Sequence, residues 1–462
     1  MSSTGATNLT GRVAIVGCGS RAAMFLRGIV ARPSTSRLVA FCEPNAVRAQ
    51  YYNDLFVNEL GGSAPVPVYR PDDFDAMVKK ERLETVVITC VDSLHDIYIV
   101  KALKAGLNVL TEKPMTTDAD KCRRILEMCR ETGRHLTVTF NYRYNPVHEL
   151  VKRTIAEGKI GNVLSVHFEW LLDTVHGADY FRRWHRQKSN SGGLMVHKSG
   201  HHFDLVNWWI DARPVTVAGM GKLAFYGEEN GKKHGWAKND YVRARGNENA
   251  KDDIWAIDLE GDPTLKRIYA DAEGEDGYYR DQNVFAPDIG IEDDMSVMVR
   301  YNTGATLTYH LTAYSPWEGY RVMFNGSLGR LELEVVESQY RLPADHLSSS
   351  SSSQGMSGLI HGTDALPNAG HAKVTVHPLW EKPYDVPVEY DHAGHGGGDE
   401  RMLSVLFGAK DGEDGDKLGG DAAKKGADEV DGAMALAVGL MANKSFEEGK
   451  FVHVDELGFG LE

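Results

Sequence analysis

The sequence predicts an α/β chain: an N-terminal doubly wound parallel sheet, followed by a C-terminal α+β domain built on an open mixed or antiparallel sheet. Three observations predict it. Strand-like and helix-like segments alternate as far as residue 145, a strand runs into a helix through the glycine turn VGCGSRA at 16–22, and later segments change to apolar alternation of period two. The division falls at residues 1–145 and 146–462, with an elaborated region over 225–290.

RVAIVGCGSRAAMFLRGIVA, residues 12–31, reads as a β-branched strand, a turn and a helix. In its GxGxxA pattern Gly17 permits the tight turn, Gly19 lets a pyrophosphate approach the backbone, and Ala22 lets helix and strand pack closely. Ser20 and Arg21 lie on the same turn, where the helix N-terminus offers unpaired N–H groups. A plain strand-to-helix turn is the alternative. RLVAFCEPN then places Glu43 at the end of a second strand, 26 residues after Gly17. A carboxylate there accepts adenosine ribose hydroxyls and repels a 2'-phosphate, which favours NAD over NADP, although Arg48 lies nearby. Together these segments read as a Rossmann domain.

PDDFDAMV starts a helix, and ETVVITCVDSLHDIYIVKALKAGLNVLTEKP reads as strand, turn, helix, strand and turn. Cys90 and His95 on its first turn are counted with the dinucleotide contacts, as is Glu112. Glu112, Lys113 and Pro114 end a strand on the edge where such sheets bind ligands. There the Lys113 ammonium can sit beside a reacting hydroxyl, lowering its pKa or relaying its proton. RHLTVTFNYRYNP closes the domain; Asn141, Tyr142 and Arg143 are pocket candidates, with an interdomain hydrogen-bonded core as their alternative.

The second domain alternates at GNVLSVHFEWLLDTVH (161–176), SVMVRYNTGATLTYHLTA, VMFNGSLGRLELEV and HAKVTVHPLW. Between the first two, SGGLMVHKSGHHFDLVNWW (191–209) sets His197, Lys198, His201 and His202 ahead of a helix whose Phe203, Leu205, Val206, Trp208 and Trp209 form a broad apolar side. The four-residue spacing of His197 and His201 also suits zinc, yet HKSGH lacks an intervening Glu and no third ligand is placed, so no metal is expected. Residues 225–290 are polar and Gly/Asp-rich and read as exposed loops, able to meet a polar substrate or another subunit. HLSSSSSSQGMSG reads as a mobile loop. EYDHAGHGGGDERMLSVLF enters a helix at Asp399, with His392, His395 and Asp399 as candidate polyol contacts or helix-cap residues. ADEVDGAMALAVGLMANKSFEEG is a long helix, and FVHVDEL adds a short strand or tail.

Composition narrows the function further. A formal charge of −14 gives no broad basic surface for nucleic acid. No stretch of about 18 or more apolar residues suggests a membrane span, and MSSTGATNLT lacks a secretory layout, so a cytoplasmic location is expected. Cys18, Cys42, Cys90, Cys122 and Cys129 are scattered and mostly in apolar segments, as buried reduced thiols would be.

VGCGSRA, FCEPN at 41–45, TEKP at 111–114, SGGLMVHKSGHHFD at 191–204, and the late GADEVDGAMALA with ANKS span nearly the whole chain. In these the chain resembles the glucose-fructose oxidoreductase and inositol dehydrogenase family, Gfo/Idh/MocA. The resemblance implies a Rossmann domain and a second domain whose open sheet walls the substrate cleft and often pairs subunits, hence a homo-oligomer. It implies that Lys113 orients the substrate hydroxyl beside the nicotinamide and that His201 accepts the hydroxyl proton. The family often has Asp four residues before that histidine and Gly two before it; this chain has His197 and Ser199. His197 carries no fixed negative charge, so proton relay and substrate choice are expected to differ, with Lys198 supplying positive charge or a substrate contact. His202 and Asp204 would shape the pocket or anchor the helix.

The expected activity is NAD-dependent hydride transfer from a secondary hydroxyl of a sugar, glycoside or cyclitol, with His201 as base and the nicotinamide taking the hydride. A redox-neutral alternative forms a transient ketone on retained NAD, cleaves a glycosidic bond by elimination or hydrolysis, and returns the hydride. A dinucleotide-sensing scaffold is the non-enzymatic alternative.

Overall fold

Where helices cover both faces of a sheet, its strands read as continuous apolar runs, and RLVAFC and TVVI do so. The computed structural model describes residues 11–237, 240–343, 370–388, 397–410 and 426–461. In it β1 (Gly11–Val16), β2 (Ser36–Cys42), β3 (Val68–Tyr69), β4 (Thr85–Ile88), β5 (Asn108–Thr111) and β6 (Leu136–Val138) form one sheet in the order β3-β2-β1-β4-β5-β6. All its pairs are parallel. Strand order reverses between β1 and β4, and the crevice beyond the carboxyl ends of these two strands is where such sheets take ligands.

The second sheet joins β7 (Val163–Asp173), β8 (Pro214–Lys222), β9 (Asp294–Tyr301), β10 (Thr306–Ser315), β11 (Glu318–Gly326), β12 (Gly329–Ser338), β13 (Ala372–Pro378), β14 (Tyr384–Val386) and β15 (Val452–His453). Their order is β14-β13-β12-β11-β7-β10-β9-β8-β15. β7 pairs in parallel with β10, while the other pairs among the described residues are antiparallel, so the sheet is mixed. Along β9 Met295, Val297, Val299 and Tyr301 point inward, and Met298 is 53% exposed on the other face. Met220 on β8 is 82% exposed, so part of that face lies uncovered.

β7 is shorter than the alternation of 161–176 suggests. Asp173 ends it by accepting N–H bonds from Val175 and His176, which starts the helix Thr174–Arg182 and puts His176 on a helix. The helix Glu429–Glu448 starts at an Asp428 capping box and packs against β8, the helix Gly200–Ile210 and β6. It thereby couples both sheets. Residues 225–290 are not the exposed loops that their polarity suggests. Phe225, Tyr226, Trp255 and Phe285 pack ring on ring, and Ile257, Leu259, Leu265, Ile268 and Tyr269 are buried. Apolar residues dispersed among Asp and Gly have collected into a small core. His392, His395 and the serine run lie outside the described residues. Among those described, no helix is long and apolar enough to cross a membrane, and all five cysteines are free thiols.

Candidate active site

A cleft of about 1300 Å³ lies at the carboxyl edge of the first sheet, between it and the second sheet. That exceeds the roughly 300–1,000 Å³ of a site for one small ligand, and leaves room for a dinucleotide with a second molecule. Gly17, Gly19, Ser20, Arg21, Glu43, Cys90, Glu112, Lys113, Tyr142, His197, Lys198 and His201 all line it. The sheet topology thus gathers residues from six separate stretches of chain.

The glycine turn is built to be approached. Gly17 has φ +89°, and a Cβ there would stand 2.6 Å from the Cys90 backbone, so β4's loop closes against it. A Cβ on Gly19 would meet nothing within 4 Å, leaving open space over the turn. Ala22 is fully buried at the start of the helix Ala22–Val30. That helix has no side-chain cap and no acid in its first turn, so its N–H dipoles face the cleft uncompensated. Glu43 Oε2 accepts the Cys18 N–H at 2.6 Å and Oε1 accepts that of Asn45 at 2.9 Å. Each oxygen keeps a further lone pair for a ribose hydroxyl. Burial pushes the Glu43 carboxyl upward, and the two N–H bonds and Arg48 oppose it. These residues fit a dinucleotide.

Arg21 has a wider role than its turn position indicates. Its Nε donates to Glu112 at 2.6 Å, and its two terminal nitrogens form a forked pair with Asp399 at 2.9 and 3.1 Å. Asn141 donates to the same Asp399 at 2.7 Å. His95 does not line the cleft. Its two ring nitrogens contact the carbonyls of Pro114 at 2.9 Å and Cys90 at 3.1 Å, which clamps the loop after β4 to the one after β5. It positions the Lys113 turn from below.

Lys113 and the histidine run meet directly. Lys113 Nζ donates to the His197 carbonyl at 3.3 Å, and His197 Nδ1 lies 2.5 Å from Oδ2 of Asp92, on the loop after β4. The Asp92 carboxyl and the His197 imidazole face each other across that contact. Burial raises Asp92 well above the carboxylate range, against the pull of Lys113; burial and the Lys113 charge push His197 well below its ordinary value. Burial also lowers Lys113 to about 8, with Asp92 and Glu112 opposing. A carboxyl from the first sheet's loop thus meets the histidine that stands where the family often has an aspartate.

His201 opens the helix Gly200–Ile210 and stacks on Tyr142, centroids 4.5 Å apart. Lys198 Nζ sits over Trp170 at 5.0 Å and Tyr142 at 5.9 Å. His197 and His201 have different neighbours. Two expected pocket residues turn away: Arg143 makes a forked pair with Asp204 at 2.8 and 2.6 Å, and His202 stacks on Trp170 and bonds Tyr309 at 2.6 Å. Both are buried beneath the cleft, because a guanidinium facing Asp204 and an imidazole facing Tyr309 find partners there.

The second sheet adds residues that the sequence does not single out. Glu318 opens β11 and Glu337 lies near the end of the adjacent β12, and both line the cleft beside Lys198. Their carboxyl groups lie within hydrogen-bonding reach of each other. Burial and the Glu318 charge push Glu337 up to about 8. Burial would raise Glu318 too, but His176, 2.7 Å away, and Lys198 hold it low. No local motif marks these glutamates. Asp92 was more accessible, since it follows a strand at the ligand-binding edge.

Two family models match the chain: an oxidoreductase family NAD-binding Rossmann fold over residues 11–140, and an oxidoreductase family C-terminal alpha/beta domain over 152–361. YteT of Bacillus subtilis (strain 168), whose oxidoreductase name states no substrate, is 36% identical over 415 residues, spanning 86% of this chain and 89% of YteT. An inositol 2-dehydrogenase of Rubrobacter xylanophilus is 31% identical over 219 residues, 45% of this chain and 55% of that enzyme. The WlbA dehydrogenase of Bordetella pertussis, solved with NADH and UDP-GlcNAcA, shares the fold at 17% identity and a TM-score of 0.57, over 96% of this chain and 98% of that one. With both family models matched and a relative similar along most of its length, the chain belongs to the Gfo/Idh/MocA oxidoreductases, with an NAD-binding Rossmann fold at its N-terminal end.

Proposed function

We propose that this protein oxidises a secondary hydroxyl of a sugar, glycoside or cyclitol, with NAD in the Rossmann cleft. The observation that carries the reading is the Lys113–His197–Asp92 chain of contacts, set in one cleft with the Gly17–Ala22 turn and His201. Gly19, Ser20 and Arg21 would hold the pyrophosphate, Glu43 the adenosine ribose, and Cys90 and Glu112 would border the nicotinamide half. When bound, the dinucleotide supplies hydride-accepting chemistry.

The chain's own residues handle orientation and the proton. The Lys113 ammonium fixes the substrate hydroxyl and stabilises the alkoxide forming there. His201 removes the hydroxyl proton at a ring nitrogen. His197, tied to Asp92, holds the Lys113 amine in place through its carbonyl and offers a second imidazole to the same cleft. Lys198 and Tyr142 form a wall suited to a hydroxylated ring. Inositol dehydrogenases among the relatives, and the nucleotide sugar in the WlbA complex, support that substrate class.

A second reading has its own support. Redox-neutral cleavage requires an acid or base beyond the alcohol chemistry, and the Glu318–Glu337 pair, one member ionised and one protonated, offers it. Incubating protein and NAD with a library of sugars, glycosides and cyclitols, followed by mass spectrometry, separates the two. Net NADH with a keto product supports the dehydrogenase, glycoside cleavage without net NADH supports the alternative, and ligand binding without any product argues for a scaffold. The partly uncovered outer face of the second sheet, with Met220 and Met298 exposed, supports a homo-oligomer paired through it; a monomer by light scattering at working concentration rejects that.

A further inference from the structure

The segment between β8 and β9 crosses back to the first sheet and grips the adenosine end of its cleft. Tyr269 Oη lies 2.8 Å from Ser20 Oγ on the glycine turn. Asn45, just beyond β2, donates its amide to the Ala272 carbonyl at 2.9 Å and to Asp276 Oδ2 at 3.0 Å. Arg48 donates Nε to the Ile268 carbonyl at 2.9 Å, and its terminal nitrogen pairs with Asp276 at 2.6 Å. That same nitrogen is 3.6 Å from Glu43. Farther out, Arg267 meets Asp54 at 2.9 Å. Asp276, Arg48 and Glu43 share the cleft wall.

The charges at this spot decide which ribose fits. NAD presents a 2'-hydroxyl there, which needs an acceptor; NADP presents a phosphate of about −1.5 to −2 charge, which needs a cation. Arg48 is the cation beside Glu43. Its Nε is occupied by a carbonyl and one of its two terminal nitrogens by Asp276, so neither two-nitrogen edge of the guanidinium is whole for gripping a phosphate. Counting Glu43, Arg48 and Asp276 as charged, the wall carries one net negative charge. Without Asp276 it would be neutral, with an open guanidinium.

We propose that Asp276, reaching across from the 225–290 insert, sets the choice of dinucleotide: by holding Arg48 it withdraws from a 2'-phosphate the guanidinium that stands beside Glu43. This rests on the reading that NAD binds at Glu43. Asp276 is a positioning residue, acting through Arg48.

The test is equilibrium binding, with turnover left aside. NADH and NADPH are titrated separately against the full chain by nicotinamide fluorescence, for wild type, Asp276→Asn, Asp276→Glu, Arg48→Gln and the Asp276→Asn/Arg48→Gln double variant. Asp276→Asn is expected to raise the NADPH-to-NADH affinity ratio at least tenfold, Asp276→Glu to keep the wild-type ratio, and the double variant to lose the gain. A ratio in Asp276→Asn within twofold of wild type, with NADH still bound, overturns the role of Asp276. If Asp276→Asn does not fold, Arg48→Gln decides: an unchanged ratio supports the proposal, while a tenfold selective loss of NADPH shows that Arg48 already serves the phosphate and overturns it. A wild type that prefers NADPH overturns the NAD reading by itself, whatever the variants do.

Discussion

Asp92 Oδ2 and His197 Nδ1 stand 2.5 Å apart, one on the loop after a strand of the first sheet and the other on the helix Leu194–His197. A carboxyl at Nδ1 fixes the imidazole tautomer and orientation. Asp92→Asn keeps the shape but puts an amide, which cannot exchange a proton with Nδ1, in place of the carboxyl. A loss of about 10²–10⁴ in kcat is expected by analogy with the buried aspartate of a hydrolytic triad, with NADH affinity changed by less than a few-fold. Steady-state kinetics and a fluorescence titration check it, and full activity in Asp92→Asn rejects the coupling.

His201→Asn removes the expected base while an amide can still stack on Tyr142. Turnover should fall by about 10²–10⁴, the usual contribution of a positioned general base, and dinucleotide binding should persist. Unchanged turnover would transfer the role to His197.

Lys113 predicts the sign of the pH profile. Burial lowers its pKa to about 8, so its charge is present below that pH and lost above it. His197, pushed well below its ordinary value, stays neutral across the neutral range and adds no acid limb there. The expected kcat/KM therefore falls as pH rises through about 8. Lys113→Arg, whose charge persists to high pH, should flatten that limb at a lower rate. A profile that climbs through pH 8 in wild type means that the neutral amine is the active form.

The Arg143–Asp204 pair predicts stability. Both side chains are almost wholly buried, at 3% and 1% exposure. Arg143→Met leaves a buried carboxylate without its forked partner, which costs about 3–5 kcal/mol. Urea denaturation measures the change; a shift under about 1 kcal/mol rejects the pair as a stabilising contact.

Much of the site is legible from local patterns because local rules govern those parts. The glycine turn needs particular backbone conformations, and Gly17 at φ +89° against the Cys90 backbone meets that need. Glu43 and Lys113 stand at strand ends, where topology alone assigns ligand contact. For Arg143 and His202 the residues leave a pocket contact and a structural role both open, because their partners, Asp204 and Tyr309, lie on elements whose packing no local pattern specifies. The polarity of 225–290 hid its core for the same reason: widely spaced aromatics give no periodic signal.

The amino-acid sequence by itself determined the two sheets and the dinucleotide turn, and set Lys113 at a strand end, since period, turn chemistry and strand-end position are short-range properties; the proposed role of His201 came from the family resemblance. Only the tertiary structure decided that Asp92 completes His197, that Glu318 and Glu337 share a wall, and that Asp276 holds Arg48. The reason is physical: each depends on charges more than 15 residues apart in the chain, whose meeting is set by how the sheets and the insert pack, and whose energies exist only once burial has removed the water between them.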